Sequence, residues 1–134
     1  MNHNTVILSL ASNRFQARNL SKARQCLGEI LYDLHFTSEL WTEPYHSSCR
    51  DAYLNQLAKG LTTLDETQLN QRLKALEVSF GRTPTKRRLG IVPIDLDILS
   101  FNHEQRHERD WERPYIQALI DQIAPEEALQ TSSP

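Results

Sequence analysis

Ile94-Asp95-Leu96-Asp97-Ile98-Leu99-Ser100-Phe101 is the stretch on which the reading of the fold turns. Apolar and polar side chains nearly alternate along it, the period of a strand with one face in a core. Residues 82–93 lead into it as an irregular basic loop, with Pro84, Gly90, Pro93 and the run Lys86-Arg87-Arg88. Before that loop, Leu69, Leu73, Leu76 and Phe80 recur on one helical face, and Gly81 ends the helix. That helix opens at Thr63-Leu64-Asp65-Glu66, which has capping-box spacing: a hydroxyl at the N-cap and a carboxylate three residues on.

Outward from this unit, residues 53–61 read as a strand and residues 42–51 as a loop of about ten residues, longer than most connections and so a candidate for function. Residues 35–41 form another strand. Leu20, Ala23, Leu27, Ile30 or Leu31, and Leu34 predict a helix over 17–33. Residues 5–11 form the first strand and end in the turn signal Ser12-Asn13. Past the quoted stretch, residues 102–110 are dense in histidine and charge. Tyr115, Ile116, Leu119, Ile120 and Ile123 predict a short helix, and the tail 126–134 is expected to fray. The order β-α-β-β-α-β predicts an α+β fold. It is ferredoxin-like, a mainly antiparallel four-stranded sheet with helices packed on one face, plus a short C-terminal helix.

The 134 residues fit a single domain, 1–134, with no repeat and no linker. A formal net charge of −2 argues against a general nucleic-acid binder. The local clusters Arg82, Lys86, Arg87, Arg88 and Arg106, Arg109, Arg113 suit a small polyanion instead. Cys26 and Cys49 are too few for a disulfide scaffold and lack metal spacing. With no signal-peptide pattern and no membrane-length apolar run, the expectation is a cytoplasmic protein in a reducing compartment, with no membrane partner, and a monomer.

Asp95 and Asp97, two apart on a strand, point to one face with roughly 7 Å between their Cα atoms. Like charges this close need a cation or hydrogen bonds. Magnesium takes one or two carboxylates and leaves its other positions to water and phosphate. Spacing alone also allows a solvent-facing pair, but the flanking arginines supply the planar forks that meet phosphate oxygens. Tyr53 and Asn55 share a face in the same way. They could stack on and hydrogen-bond a flat heterocycle, or serve as core packing with a satisfied amide. His107 reads by itself as an exposed loop residue, and nothing around Cys49 points to a nucleophile.

Taken together, Leu10-Ala11-Ser12-Asn13, Tyr53-Leu54-Asn55, Glu77 with Phe80-Gly81-Arg82, Ile94-Asp95-Leu96-Asp97-Ile98, and 107–115 followed by Ile123-Ala124-Pro125 resemble the 6-hydroxymethyl-7,8-dihydropterin pyrophosphokinase family over about residues 5–125. The resemblance implies transfer of pyrophosphate from ATP to the hydroxymethyl group of a dihydropterin, in folate biosynthesis, with release of AMP. By the same resemblance Asp95 and Asp97 hold two magnesium ions. Thr42, Tyr53, Asn55 and Tyr115 contact the pterin, and Glu77, Arg88, Ile98, His107 and Arg113 contact ATP. Arg82, His107 and Arg113 are then the catalytic group.

The chain departs from the family pattern at several places. Ala11 replaces the glycine of the first turn, and Pro84 a basic residue. Leu89 replaces a tryptophan, and Ile91-Val92 replaces Pro-Arg. The segment between Phe101 and His107 is shortened. Two alternatives stay open beside the enzyme: a paralogue that binds pterin or nucleotide without turnover, and a ferredoxin-like RNA-binding or interaction module.

Overall fold

The computed structural model describes residues 3–44 and 51–130. In chain order it contains β1 (Asn4–Ser12), α1 (Gln16–Leu27), β2 (Tyr32–Phe36), β3 (Leu40–Thr42), β4 (Tyr53–Thr62), α2 (Glu66–Ser79), α3 (Pro84–Arg88), β5 (Asp95–Phe101), β6 (Glu104–Gln105), a 3-10 turn (Glu108–Glu112), α4 (Pro114–Ile120) and α5 (Pro125–Gln130). The fold is α+β. Its single sheet has six strands rather than the expected four, in the order β2-β4-β1-β5-β6 with β3 also on β4, and every pairing is antiparallel.

The extra strands have local causes. The expected strand over 35–41 is broken at Thr37, which is buried. There the Thr37 hydroxyl accepts the Leu57 N–H at 3.0 Å, and the Thr37 carbonyl accepts from the Gln56 side chain at 2.7 Å. Side-chain bonds thus replace part of the ladder. The chain steps from β2, on the C-terminal half of β4, to β3, on its N-terminal half, where Leu40 faces Asn55 and Thr42 faces Tyr53. β6 arises because Asn102 and His103 both adopt positive φ and close a tight hairpin after β5.

Helix limits also shift. α1 ends at Leu27, and Ile30 and Leu31 reach the core from a turn, so their spacing was apolar but not helical. β4 runs on to Thr62, and the capping box forms at Asp65 and Gln68 instead of Thr63 and Glu66. Asp65 Oδ1 accepts the Gln68 N–H at 2.8 Å, and Gln68 Oε1 accepts the Asp65 N–H at 3.0 Å. The basic loop contains α3, started by Pro84 and capped by the Thr83 hydroxyl on the Lys86 N–H. The tail forms α5 rather than fraying throughout. Its Glu127 is buried and bonded to His103 Nδ1 at 2.8 Å. Residues 131–134, and Cys49 in 45–50, lie outside the described residues.

Strand alternation sorts the core into two layers. Val6, Leu8, Leu10, Leu54, Ala58, Leu96 and Ile98 face α1 and α2. Ile7, Leu57 and Leu99 point the other way, onto Trp111 and the Ile116, Leu119 and Ile120 face of α4. A β-bulge at Leu99 sets where this second layer stops. The register passes from Leu8–Ile98 to Ile7–Ser100, leaving Leu99 unpaired with β1. Its carbonyl takes the Trp111 indole N–H at 3.1 Å and the Arg106 N–H at 2.7 Å instead. α4 is only seven residues long, so it covers that face at one end of the sheet. Among the described residues no helix is long and apolar enough to cross a membrane.

Candidate functional site

Where α4 stops, the same face of the sheet continues as Ser9 and Ala11 on β1, Asn55 on β4, and Asp95 and Asp97 on β5. Ser9 is the register partner of Asp97, and Ala11 is the partner of both Asp95 and Asn55. These residues floor a cavity of about 540 Å³. Its walls are Thr42, Glu43 and Pro44 after β3, Tyr53 at the start of β4, and Asp110, Arg113, Pro114 and Tyr115 at the start of α4. One cavity thus gathers the acidic pair, the two tyrosines, Thr42, Asn55 and Arg113.

Asn55 is oriented by β3. Its Nδ2 donates to the Leu40 carbonyl at 3.0 Å and to the Thr42 hydroxyl at 2.8 Å. Both amide hydrogens are therefore used, and Oδ1 is left as the acceptor. Tyr115 is half-buried, and burial pushes its phenol above the usual range, with Arg113 opposing. Arg113 sits 3.4 Å from Asp110, an i,i+3 pair that fixes the guanidinium at the rim.

Behind the acidic pair lies an ion-pair relay from α2. Among the described residues no strand pairs with the outer edge of β5 along this stretch, and Glu77 and Lys74 take the place of one. Glu77 Oε2 accepts the Leu96 N–H at 2.8 Å, while Lys74 Nζ donates to the Leu96 carbonyl at 2.9 Å. Lys74 also pairs with Glu77 at 3.0 Å and Asp97 at 3.2 Å. Arg82 bridges Glu77 at 2.8 Å and Asp95 at 3.0 Å. Burial, and then the Asp95 charge, push the Asp97 carboxyl above the usual carboxylate range, while Lys74 and His107 pull the other way. Burial also works against the Lys74 charge, yet Asp97 and Glu77 more than offset it and raise its pKa.

Other expected residues stand apart. Glu77 is only 4% exposed and turned toward its three donors, so it orients β5 from behind. The Ile98 side chain is in the core on the helix side. Its backbone groups share the outward direction of those of Leu96 two residues earlier. His107, at φ 53, lies with Arg106 and Arg109 in a neighbouring open cleft, close enough for its charge to act on Asp97. Arg88 is exposed on α3, bonded at 3.3 Å to the Thr85 hydroxyl. Lys74, Ser9, Glu43 and Asp110 were not foreseen. Ser9 was within reach of period-two reasoning from Ile7. Lys74 was readable only as an i,i+3 neighbour of Glu77.

The donor set fits magnesium. Two hard carboxylates share one face of β5 on a cavity floor, each already paired with a cation, Asp95 with Arg82 and Asp97 with Lys74. Magnesium commonly takes one or two carboxylates and leaves its other positions to water and phosphate.

A family model described as 7,8-dihydro-6-hydroxymethylpterin-pyrophosphokinase matches residues 7–125. The chain is 36% identical over 133 residues to a folate synthesis bifunctional protein of Arabidopsis thaliana, covering 91% of this chain and 28% of that protein. It is 35% identical over 87 residues to the mitochondrial folate synthesis bifunctional protein of Pisum sativum, 59% of this chain and 17% of that one. A folate synthesis bifunctional protein of Chlamydia caviae is 33% identical over 81 residues, 54% of this chain and 18% of that one. The chain thus spans less than a third of the length of these relatives.

Proposed function

On the premise that the chain belongs to the 7,8-dihydro-6-hydroxymethylpterin-pyrophosphokinase family, we propose that it transfers pyrophosphate from ATP to the hydroxymethyl oxygen of the dihydropterin. The observation that carries this reading is the single cavity in which Asp95 and Asp97 lie on the floor with Asn55, Tyr53, Tyr115 and Arg113 around them. The pterin hydroxyl oxygen bonds to the β-phosphorus of ATP and gives up its proton to solvent water, the bond from that phosphorus to the bridging α-oxygen breaks, and AMP leaves with that oxygen.

The roles of Tyr53, Asn55, Asp95, Asp97, Arg113 and Tyr115 rest on their shared cavity, and those of Arg88, Ile98 and His107 on the family resemblance. Tyr53 and Tyr115 stack on the heterocycle, and Asn55 Oδ1 accepts one of its N–H groups. Arg113, and Arg82 through Asp95, supply positive charge beside the phosphates. Asp95 and Asp97 are the residues that would hold two magnesium ions, whose chemistry there would be to orient the triphosphate and offset its charge. His107 and Arg88 lie outside the cavity lining and by the family resemblance would have to close onto the nucleotide, while the outward backbone of Ile98 would meet the adenine. Glu77 and Lys74 hold the β5 edge in place. We read the β5-β1-β4-β2 core with α1 and α2 as a ferredoxin-like domain, to which β3, β6 and the C-terminal helices are additions.

A second reading, ligand binding without turnover, draws on the cavity's thin cationic lining. Arg113 is the lining arginine; Leu89, exposed just past the end of α3, and Val92 stand where the resemblance implies a tryptophan and an arginine. The deciding experiment measures AMP released from ATP with magnesium and 6-hydroxymethyl-7,8-dihydropterin, beside Asp97→Ala. Pterin-dependent AMP that the substitution abolishes supports the enzyme. Pterin binding without AMP at high protein concentration favours the second reading.

A further inference from the structure

We propose that the cleft between the start of α1, the end of α2 and α3 is a second anion site, for a small molecule bearing a diphosphate. It lies on the helix side of the sheet and shares no lining residue with the 540 Å³ cavity.

The cleft holds about 250 Å³ and is lined by Arg14, Phe15, Arg18, Phe80 and Lys86 among others, with no acidic residue in the lining. Among the described residues none of these cations, nor Lys22 beside them, forms an ion pair. Close like charges without an anion are unfavourable, so this grouping is at its best with a polyanion bound. On a chain of net charge −2 the concentration of cations is local.

Aromatic rings organise the cations. The Arg18 guanidinium lies 4.5 Å and that of Arg14 5.2 Å from the Phe15 ring centre, and Lys22 Nζ lies 5.2 Å from that of Phe80. Stacking holds a guanidinium plane while its N–H groups stay free for phosphate oxygens. Phe15 is held at φ 46, a costly region for a bulky residue, and is 57% exposed. The strain places the ring outside the core and under the two arginines. Lys86 Nζ spends one hydrogen on the Gly81 carbonyl at 2.9 Å and keeps others for a ligand. Three to four cations match a diphosphate better than a monophosphate, and the small volume favours a small molecule over a nucleic-acid strand.

The test is amide NMR of the full chain titrated with inorganic pyrophosphate in magnesium-free buffer, at constant ionic strength. Saturating shifts are expected around residues 14–19 and 81–86, retained in Asp97→Asn and weakened at least about tenfold in the exposed double variant Arg14→Glu/Arg18→Glu. Shifts confined to the 540 Å³ cavity overturn the proposal. So does an equal response of the double variant, or an equal response to sulfate at matched ionic strength. Retention in Asp97→Asn separates this site from the proposed catalytic one.

Discussion

Lys74 Nζ stands 3.2 Å from Asp97 Oδ1, so a lysine from α2 already neutralises one of the two carboxylates assigned to magnesium. An incoming cation must share that carboxylate with Lys74 or displace it. Lys74→Met removes the competitor at Asp97 and leaves Arg82 on Asp95. The lysine side chain is 42% exposed and its pair is partly screened, so the gain is modest: bare magnesium should bind about two- to fivefold more tightly by calorimetry. Unchanged or weaker binding would show that Lys74 does not compete for the carboxylate.

Glu77 is a different case, because it is buried and answers three donors: Lys74, Arg82 and the Leu96 N–H. Glu77→Ala leaves the β5 edge N–H unsatisfied and two cations without their shared partner. A loss of about 2–4 kcal/mol in urea unfolding is expected. A loss under about 0.5 kcal/mol, the range of ordinary surface changes, would mean the relay does not hold the strand.

The Asp97 carboxyl is raised in the folded protein, by burial first and by Asp95 second. A carboxyl raised on folding binds its proton more tightly in the native state than in the unfolded one. Its ionisation therefore costs stability as pH rises through the folded pKa, and the cost is absent once pH lies below the unfolded value. Asp97→Asn removes that cost. In magnesium-free buffer at neutral pH the variant should melt higher than the unsubstituted protein. The difference should shrink as pH falls into the carboxylate range. A variant less stable at neutral pH would show that the Lys74 bond outweighs the buried charge.

The acidic pair, the Tyr53–Asn55 face and the β5 strand were legible because strand period two fixes which side chains share a face. The gathering of Tyr115 and Arg113 with them was not derivable from spacing. It depends on the Leu99 bulge and on how far α4 reaches across the sheet, both set by tertiary packing. The Thr37 break in the edge strand was hidden because a threonine favours strands, and only its hydroxyl bond to the Leu57 N–H shows the ladder being replaced. α5 was missed for a related reason: its sequence is polar. What folds it down is Glu127 reaching His103 across the β5–β6 hairpin. Lys74 and Glu77 were legible as a helical pair, but their service to the edge of β5 required the strand to be in place.

Asn55 gives the sharpest test of ligand orientation. With Nδ2 committed to Leu40 and Thr42, only Oδ1 remains to face the cavity, so it must meet an N–H donor of the heterocycle rather than a carbonyl. Asn55→Ala should weaken dihydropterin binding, read by fluorescence quenching, by about ten- to hundredfold, the cost of a lost hydrogen bond in a desolvated site. AMP formation at saturating pterin should fall much less, because the residue touches neither the phosphates nor their cations. Thr42→Val removes one acceptor of Nδ2 but leaves Oδ1 in place, and should cost only about threefold. If Thr42→Val costs as much as Asn55→Ala, the strand β3 anchor is what the site needs, and the assignment of Oδ1 to the ligand fails.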